Sequence, residues 1–381
     1  MNHIFPVKYK DRLVFRVMES KRVAYKAAVF YKYKEPFTIQ MIEAPEPKGE
    51  QVLVKTAGAG LCHTDLHIWL GEIPGLPEVV PAVLGHEPSG YVAAKGDAVP
   101  DHIKIGMKVL VQGAYYTEDD IYTLKGHNVL ATKPKPSWTG AYGLYGGAYA
   151  EYFLVPSYRY LVNAEGLDDL VAAATLTDAG LTPYRAVKRG LSLVREFAEP
   201  GDFVVVVAVG GLGLFALQYV NILAPYLNVI AVDVKDEALD LASKVAKIHS
   251  TINAKKEDPV KKIKEIVGVR KIPLILDFIG LENNVPTYLP LLAPGGTYVL
   301  VGLGALQTSF PTQDLVLKEW NIIGSYWGSV ADLKEVVELA RKGLVKYKEI
   351  TTKRWKLDEI NEAFDTMRKG KYVGRMVIAF E

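Results

Sequence analysis

Three side chains of different chemical types could together hold a zinc ion. Cys62 begins the segment CHTDLH, His86 lies in GHEPSG, and Asp178 lies in LTDAGLTPYRAV. A thiolate, an imidazole and a carboxylate are all zinc ligands, and a catalytic zinc uses three protein ligands and keeps one position open. The three residues are far apart in the chain, so their spacing alone leaves a buried Cys62 and a hydrogen-bonded turn residue at His86 as alternatives.

A glycine-rich turn between two apolar segments has the pattern of a dinucleotide-binding site. FVVVVAVGGLGLFALQYV is followed by NVIAVD, which ends at Asp233. In such a fingerprint the first glycine eases the turn, the second lets the backbone approach the pyrophosphate, and the third lets the helix pack on the strand. The matching positions are Ala208, Gly210 and Gly213, and we expect the alanine to be tolerated with a negative φ.

The same pattern indicates which cofactor binds. The N-terminus of the helix after the turn favours the anionic pyrophosphate. Asp233 lies twenty residues beyond Gly213, where its carboxylate suits the ribose diol of NAD and repels the 2′-phosphate of NADP. For the glycines alone, a tight strand-to-helix turn without a ligand is the alternative. The predicted NAD-binding residues of this region are Gly210, Gly211, Leu212, Gly213, Asp233 and Val301.

Composition places the chain among ordinary globular proteins. It has 381 residues, of which 49% are hydrophobic and 23% charged, so it is long enough for two or three domains and is not disordered. A net charge of +2 predicts no broad basic face and hence no nucleic-acid partner. The single cysteine excludes an internal disulfide and a cysteine-rich zinc module. The N-terminal segment has no apolar stretch of signal-peptide length, and we expect a cytoplasmic protein.

One uncharged segment, residues 203–232, is long enough to cross a membrane. Three glycines interrupt its middle and Pro225 breaks its end. A buried strand, a turn, a buried helix and a second strand explain it better, so we expect no membrane partner.

The remaining sequence predicts two kinds of architecture that would position these residues. Residues 1–24 look like an extension, and from Tyr25 short runs of β-branched and aromatic residues predict a β-rich, barrel-like domain. From about residue 179 strands alternate with helices, which predicts an α/β fold with a doubly wound parallel sheet. The predicted strands of that sheet are Phe203–Ala208, Val229–Asp233, Leu274–Ile279, Tyr298–Val301 and Ile322–Ser325.

Several segments together resemble the zinc-dependent medium-chain alcohol dehydrogenases. They are GAGLCHTDLHIWLGEIP, PAVLGHEPSGYV, GGLG and Asp233, in the family's order, and the resemblance runs from about Tyr25 to the C-terminus. It implies a GroES-like catalytic domain over residues 1–178, an NAD-binding Rossmann domain over 179–322, and a return to the catalytic domain over 323–381. It also implies one catalytic zinc per chain and reversible hydride transfer between an alcohol and NAD.

The resemblance assigns roles around the zinc. Cys62, His86 and Asp178 would be its catalytic ligands, with Asp178 at a position where many relatives have cysteine. Glu87 would enter the zinc shell when water or substrate leaves. Asp65 would hold the zinc-bound imidazole in its tautomer. Support of local turns is the alternative for both carboxylates.

It also assigns residues to the proton and to the cofactor. Thr64 would bond the substrate alcohol, and His67 would pass its proton to solvent. His63 and Arg375 would contact the pyrophosphate. The alternatives are a helix cap at Thr64, an exposed loop histidine at His67 and an ordinary surface charge at Arg375.

The chain departs from the family in one lobe. Most relatives hold a second, structural zinc with four closely spaced cysteines there, and the matching residues 113–131 contain no cysteine. A hard cation and a solvated acidic loop are the alternatives, with candidate ligands Glu118, Asp119, Asp120 and His127. Packing would replace the metal through Tyr115, Tyr116 and Tyr122. Because this lobe often serves subunit contacts, the expected homo-oligomer, a dimer or a tetramer, is less firmly implied.

Other functions are compatible with parts of the sequence. A polyol or sugar dehydrogenase would use the same zinc and NAD sites, whereas a quinone or enoyl reductase of the same superfamily lacks a coherent ligand set. A non-enzymatic protein would not need Thr64 and His67. Aromatic pocket walls would favour medium-length or aromatic alcohols over polyols, core packing being the alternative; the candidates are Trp69, Trp138, Tyr145 and Trp327.

Overall fold

The chain divides into two compact units. A computed structural model describes the backbone of residues 3–9 and 12–18, and residues 23–115, 119–131 and 143–380 in full. The first unit consists of Met1–Asp178, Ser329–Arg341 and Thr351–Glu381, and the second of Ala179–Gly328 and Lys342–Ile350.

Strands and helices are numbered in chain order over the described residues. The strands are β1 (His3–Tyr9), β2 (Arg12–Met18), β3 (Ala24–Phe30), β4 (Thr38–Glu43), β5 (Val52–Gly60), β6 (Ala82–Val83), β7 (Glu87–Lys95), β8 (Lys108–Val111), β9 (Tyr152–Val155), β10 (Leu161–Asn163), β11 (Phe203–Val207), β12 (Asn228–Asp233), β13 (Ser250–Asn253), β14 (Leu274–Asp277), β15 (Thr297–Leu300), β16 (Asn321–Gly324), β17 (Thr351–Trp355) and β18 (Arg375–Ala379). The helices are α1 (His63–Leu70), α2 (Ile121–Leu124), α3 (Leu170–Ala173), α4 (Leu181–Val194), α5 (Gly211–Leu223), α6 (Asp236–Val245), α7 (Pro259–Val267), α8 (Asn284–Tyr288), α9 (Thr312–Leu317), α10 (Val330–Arg341), α11 (Tyr347–Ile350) and α12 (Ile360–Arg368).

The first unit is built mainly from antiparallel strands. Its larger sheet has the order β10-β8-β7-β5-β18-β17, and β9 also pairs with β5. A smaller sheet has the order β4-β3-β6. Buried side chains such as Phe30, Phe153 and Phe364 form the core of the first unit. In the pairing of β5 with β7, Gly60 lies opposite Glu87, which brings the ends of these two strands together at the candidate metal ligands.

The second unit contains a parallel sheet with the order β13-β12-β11-β14-β15-β16. Strand β11 lies within this sheet, and all five of its residues are buried. A continuous apolar run of this kind is typical of a parallel strand that is covered on both faces. The predicted fold class is confirmed, with a β-rich unit and a doubly wound parallel sheet.

All five strands predicted for the parallel sheet are present, with ends shifted by one or two residues. Strand β13 was not predicted, because its sequence STIN is short and largely polar and lies at the edge of the sheet. Within residues 1–24, predicted as an extension, β1 and β2 form an antiparallel pair with His3 opposite Met18.

Residues 203–232 form β11, α5 and most of β12, as the glycines and the proline predicted. Among the described helices, none has both the length and the apolar composition needed to cross a membrane.

Candidate active site

Four side chains of the first unit converge on one point. Cys62, His86, Glu87 and Asp178 each offer a ligand atom, and these four atoms lie within 4.8 Å of one another. Asp178 Oδ2 lies 3.5 Å from Cys62 Sγ and 3.4 Å from His86 Nε2. Cys62, His86 and Glu87 are buried. No other group of three or more such residues occurs in the part of the chain that the structure describes.

These separations fit a zinc ion. Two ligand atoms bound at about 2.0–2.3 Å to a tetrahedral zinc lie about 3.3–3.8 Å apart. The distances of 3.4 and 3.5 Å from Asp178 fall in that range. The donor set of one sulfur, one imidazole nitrogen and two carboxylates is one that zinc accepts. Glu87 Oε2 is buried and has no hydrogen-bond partner among the described residues. An unpaired buried oxygen is expected of a metal ligand, since a cation would satisfy it.

Local structure explains how three of these residues reach the cluster. Cys62 follows β5 and is the N-cap of α1, where its Sγ accepts a hydrogen bond from the backbone N–H of Thr64. His86 follows Gly85, whose φ of +100° turns the chain between β6 and β7 and requires glycine. Asp178 comes directly after a short 3₁₀ helix. A strand end, a tight turn and a helix end therefore present the three side chains.

Glu87 lies in a buried ion pair. Gly60 makes room for it, because a Cβ at that position would lie 1.9 Å from Glu87 Oε2. Arg375 donates a hydrogen bond from Nη2 to Glu87 Oε1, and both side chains are buried. Burial raises the pKa of Glu87 to about 7, and the charge of Arg375 opposes this rise. Arg375 thus engages Oε1 of Glu87, whereas Oε2 has no hydrogen-bond partner among the described residues.

Asp65 holds the ring of His86. It is fully buried, and its Oδ1 lies 3.1 Å from His86 Nδ1 and accepts the backbone N–H of Gly85 at 3.3 Å. A carboxylate on Nδ1 leaves Nε2 as the atom that faces the other ligands. Asp65 therefore contacts both the ring of His86 and the turn that precedes this residue.

Burial and mutual charge perturb the protonation of the cluster. Burial raises the pKa of the Cys62 thiol, and the charge of Asp178 adds to the rise. Burial by itself lowers the pKa of His86, but the charges of Asp65 and Cys62 outweigh it and raise that pKa well above 6.5. A divalent cation reverses this balance, because it stabilises the thiolate and the neutral imidazole.

The predicted glycine turn lies between β11 and α5 in the second unit. Gly210 is the N-cap of α5, and a Cβ on it would meet nothing within 4 Å. A Cβ on Gly213 would lie 2.2 Å from the carbonyl oxygen of Ala208, which is the close packing expected at the third position. The open space beside Gly210 suits a phosphate group at the helix N-terminus.

The expected negative φ at Ala208 is wrong, since φ there is +66°. The N–H of Ala208 is bonded to Val232 O, and its carbonyl oxygen lies against Gly213. The chain must turn from β11 into α5 between these two contacts. Tertiary packing therefore imposes a left-handed conformation on a residue that has a Cβ atom.

Asp233 ends β12 and ties the glycine turn to it. Its Oδ2 accepts the backbone N–H of Val209 at 2.8 Å, and its Oδ1 accepts those of Val234 and Lys235. A carboxylate has further lone pairs for ribose hydroxyls, and the ribose contact stays a prediction. Of the other predicted cofactor residues, Gly211 and Leu212 begin α5, and Val301 follows β15.

Comparisons with known proteins place both units in one family. Residues 211–342 match the family described as zinc-binding dehydrogenase, and residues 48–165 match the alcohol dehydrogenase GroES-like domain. The chain is 37% identical to an NAD-dependent alcohol dehydrogenase of Sulfurisphaera tokodaii, over 90% of this chain and 96% of that protein. The chain belongs to the zinc-dependent medium-chain alcohol dehydrogenase family.

Two further relatives show the range of this dehydrogenase family. A D-arabinose 1-dehydrogenase (NADP(+)) of Saccharolobus solfataricus is 31% identical, over 93% of this chain and 97% of that protein. The crystal structure of the alcohol dehydrogenase from Aeropyrum pernix has a TM-score of 0.81 at 32% identity, covering 93% of this chain and 100% of that chain.

Helix α1 carries the two residues that the family pattern assigns to proton transfer. Thr64 Oγ1 lies 3.6 Å from Cys62 Sγ, beside the metal cluster. The N-cap of α1 is Cys62, so the alternative of Thr64 as a cap is wrong. His67 lies three residues farther along, and its side chain is 43% exposed. A hydroxyl beside the metal cluster and an imidazole open to solvent thus lie on the same helix.

Glu72 is a candidate functional residue that sequence reasoning missed. Its Oε2 lies 2.5 Å from His67 Nδ1. Gly71, with φ +74°, ends α1 and brings the next residue back, so that Glu72 N–H donates to His67 O. The glycine followed by a carboxylate, HTDLHIWLGE, was the available sequence signal.

Tyr372, a neighbour of His63, is a second residue that sequence reasoning missed. Its ring stacks on that of His63 at a centroid distance of 6.1 Å, and the Tyr372 hydroxyl lies 3.3 Å from His63 Nδ1. The two residues are 309 positions apart, so no local pattern could reveal the pair. The contacts of His63 and Arg375 with a pyrophosphate stay predictions.

The cysteine-free lobe is only partly packed as expected. Tyr115 is buried against Tyr160, with ring centroids 4.6 Å apart, so this part of the expectation is confirmed. Tyr122 is 40% exposed, so the expectation of packing is wrong for this residue. The helix that carries Tyr122 is short and has no buried residue. Asp120 caps that helix by accepting the N–H of Tyr122. Two other residues named for this lobe lie outside the described part of the chain, Tyr116 and Glu118.

The candidate pocket aromatics have mixed positions. Trp69 is partly buried and donates its Nε1–H to Glu35 O, and Trp327 is 7% exposed. Tyr145 ends a short 3₁₀ helix and is partly buried. Trp138 lies outside the described residues. No lining role follows for any of them.

Proposed function

We propose that the chain is an NAD-dependent zinc alcohol dehydrogenase that transfers a hydride reversibly between a primary or secondary alcohol and NAD. The observation that carries the proposal is the convergence of Cys62, His86, Glu87 and Asp178 at separations suited to zinc. A quinone or enoyl reductase without zinc has no need of such a set. Membership of the family supports both cofactors.

In this proposal Cys62, His86 and Asp178 hold the zinc, and Glu87 offers a further donor when the substrate position is empty. Bound there, zinc supplies a Lewis acid that polarises the substrate oxygen. Asp65 orients His86 through Nδ1. We assign this chemistry to residues 1–178 and 323–381.

Thr64 and His67 would move the proton of the alcohol. The Thr64 hydroxyl lies next to the cluster, where it can accept a hydrogen bond from the substrate hydroxyl. His67 holds Glu72 through Nδ1, which leaves Nε2 as the acceptor. Both His67 and Glu72 reach solvent, so the proton can leave the protein there.

We assign NAD binding to residues 179–322. The free N–H groups at the start of α5, the open space at Gly210 and the carboxylate of Asp233 support this assignment. NAD supplies the hydride acceptor. His63 and Arg375 would add contacts to the pyrophosphate, and Arg375 Nε is buried without a partner among the described residues.

A sugar or polyol dehydrogenase is a second candidate, favoured by the similarity to a D-arabinose 1-dehydrogenase. It shares the zinc and nucleotide sites, so the two differ only in the walls of the substrate pocket. Comparing kcat/KM for a set of alcohols with that for pentoses, with both NAD and NADP, separates them.

A homo-oligomer is also part of the proposal. Between β15 and β16, five large apolar side chains of the second unit are exposed, namely Leu303, Leu306, Phe310, Val316 and Leu317. Strand β16 is the edge of its sheet, and an edge strand beside exposed apolar residues favours pairing with a second copy. Light scattering of the purified protein measures the number of chains. A cytoplasmic location stays a prediction.

The test of the proposed function joins metal content to turnover. We expect about one zinc per chain by elemental mass spectrometry, and alcohol oxidation with NAD. His86→Ala removes a ligand and should lose both zinc and turnover, whereas His102→Ala, at an exposed position, should keep both. Full activity without zinc would refute the proposal and favour a zinc-free reductase.

A further inference from the structure

The phenol of Tyr149 reaches the candidate metal centre through Asp65. Its hydroxyl lies 2.8 Å from Asp65 Oδ2, the oxygen that does not contact His86. We propose that Tyr149 is a positioning residue of the metal centre, which fixes Asp65 and through it the ring of His86. This inference rests on the proposed zinc site.

The hydrogen bonds around Asp65 form a connected set. Oδ1 faces His86 Nδ1 and the N–H of Gly85, and Oδ2 accepts from Tyr149. Gly60 O lies farther from the Tyr149 hydroxyl, at 3.2 Å. A hydroxyl has one proton, and the charged acceptor at the shorter distance takes it. Both carboxylate oxygens of Asp65 are therefore engaged, and its plane is held from two sides.

Burial keeps the phenol in its donor form. Burial and the charge of Asp65 raise the pKa of Tyr149 well above 10. The hydroxyl therefore keeps its proton at every pH at which the enzyme would work. A fixed donor on the far side of Asp65 leaves one orientation for the carboxylate.

Packing contacts also connect Tyr149 to the turn that precedes His86. The ring of Tyr149 lies against Gly85, where a Cβ would be 2.8 Å from its Cδ1 atom. The backbone N–H of Tyr149 donates to Leu84 O at 3.0 Å, and that of Ala148 donates to Gly85 O at 2.9 Å. Tyr149 thus supports the turn before His86 as well as the carboxylate that holds its ring. The side chain of Tyr149 therefore contacts both features that orient His86, the turn at Gly85 and the carboxylate of Asp65.

The test compares two tyrosine hydroxyls of the first unit. Tyr149→Phe removes the hydroxyl and keeps the ring against Gly85. Tyr25→Phe is the matched control, because Tyr25 is 1% exposed and its hydroxyl has no hydrogen-bond partner among the described residues. Zinc release from each holoenzyme is followed with a chelating indicator, zinc affinity is measured by chelator competition, and thermal unfolding reports stability.

We expect Tyr149→Phe to weaken zinc binding about tenfold, the lower end of what the loss of a direct partner of a metal ligand costs, because Tyr149 acts on His86 through Asp65. Tyr25→Phe should bind zinc like the wild type. The absorption bands of the cobalt-substituted enzyme should shift only in Tyr149→Phe, because they report ligand geometry and a loss of stability alone would not move them.

Three results would overturn the inference. The first is wild-type zinc affinity in Tyr149→Phe, and the second is equal weakening in both variants, which would show a general effect of removing a buried hydroxyl. The third is a wild-type protein that binds no zinc. That result refutes the proposed function itself, and the inference with it, whereas the first two leave the zinc site standing.

Discussion

Ala208 adopts a backbone conformation that is costly for a residue with a Cβ atom. Its φ of +66° lies in the left-handed region, where a non-glycine residue loses about 1–2 kcal/mol. Ala208→Gly removes this strain, and the greater freedom of glycine in the unfolded chain offsets about 0.4–1 kcal/mol of the gain. We expect a net stabilisation of about 0.5–1 kcal/mol in urea unfolding monitored on the second unit. Ala231→Gly, in β12, is the control and should destabilise; a loss of stability in Ala208→Gly would contradict the argument.

The contact between His67 and Glu72 predicts a kinetic effect. Glu72→Gln keeps the size of the side chain but removes the carboxylate that faces His67 Nδ1. We expect kcat for alcohol oxidation to fall roughly tenfold, since proton transfer by a positioned imidazole is weakened, with KM nearly unchanged. Glu72→Asp should recover part of the rate. Glu35→Gln, which removes an exposed ion pair with Lys32, should have no effect; equal kinetics in Glu72→Gln and Glu35→Gln would exclude a role for Glu72.

Helix α1 shows how one short element serves several functions. Cys62 caps it, and Asp65 lies three residues farther, so the ligand and the residue that holds His86 share one side of the first turn. Thr64 and His67 are likewise three residues apart. A helix of eight residues, with its cap, therefore carries both the pair that contacts the buried cluster and the pair to which we assign proton transfer.

The turn between β11 and α5 predicts opposite effects for two glycines. A Cβ at Gly213 would lie 2.2 Å from a backbone oxygen, so Gly213→Ala should lower the unfolding temperature of the protein without cofactor. A Cβ at Gly210 would meet nothing within 4 Å, so Gly210→Ala should leave that temperature unchanged. Gly210→Ala should still raise the dissociation constant of NADH about tenfold, because in the proposed cofactor site the pyrophosphate approaches Gly210. Fluorescence titration and thermal unfolding measure the two quantities; a stable Gly210→Ala with wild-type NADH binding would remove Gly210 from the cofactor site.

At the scale of the whole molecule, zinc should couple stability to pH. Without metal, burial holds the pKa of the Cys62 thiol above its usual range, and at His86 the charges around the ring, that of Asp65 foremost, outweigh burial and hold the pKa well above 6.5, so a thiol and an imidazolium are present near neutral pH. Zinc binding must release these protons. Each released proton raises the apparent dissociation constant of zinc about tenfold for each unit by which the pH falls. Zinc binds the folded chain, so its stabilising effect should grow from pH 6 to pH 8.

Chelator competition at pH 6, 7 and 8 measures the zinc affinity, and unfolding temperatures with and without chelator measure the stabilisation. We expect the loss of unfolding temperature on zinc removal to be larger at pH 8 than at pH 6. A zinc affinity that does not depend on pH would contradict the protonation states assigned to Cys62 and His86.

Local patterns in the sequence were enough to predict much of this protein. Five strands of the parallel sheet follow from apolar runs between turn residues, and the glycine turn follows from spacing next to a strand. Both depend on neighbours within about twenty residues, where period and turn chemistry act. Strand β13 escaped because its four residues have no apolar run and owe their pairing to β12.

The sequence also determined which chemistry was available, since Cys62, His86 and Asp178 are residue types that bind zinc and the segments around them resemble those of a zinc-dependent family. Only the tertiary structure decided that their donor atoms meet, that Arg375 pairs with Glu87, and that Tyr149 reaches Asp65. The last two pairs are 288 and 84 residues apart. The periodicity of neighbouring residues does not encode such contacts. They depend on how β5, β7 and β18 pair and on which side chains fit beside the turns that follow these strands. The left-handed Ala208 has the same cause, since packing around the turn outweighed the preference of the residue.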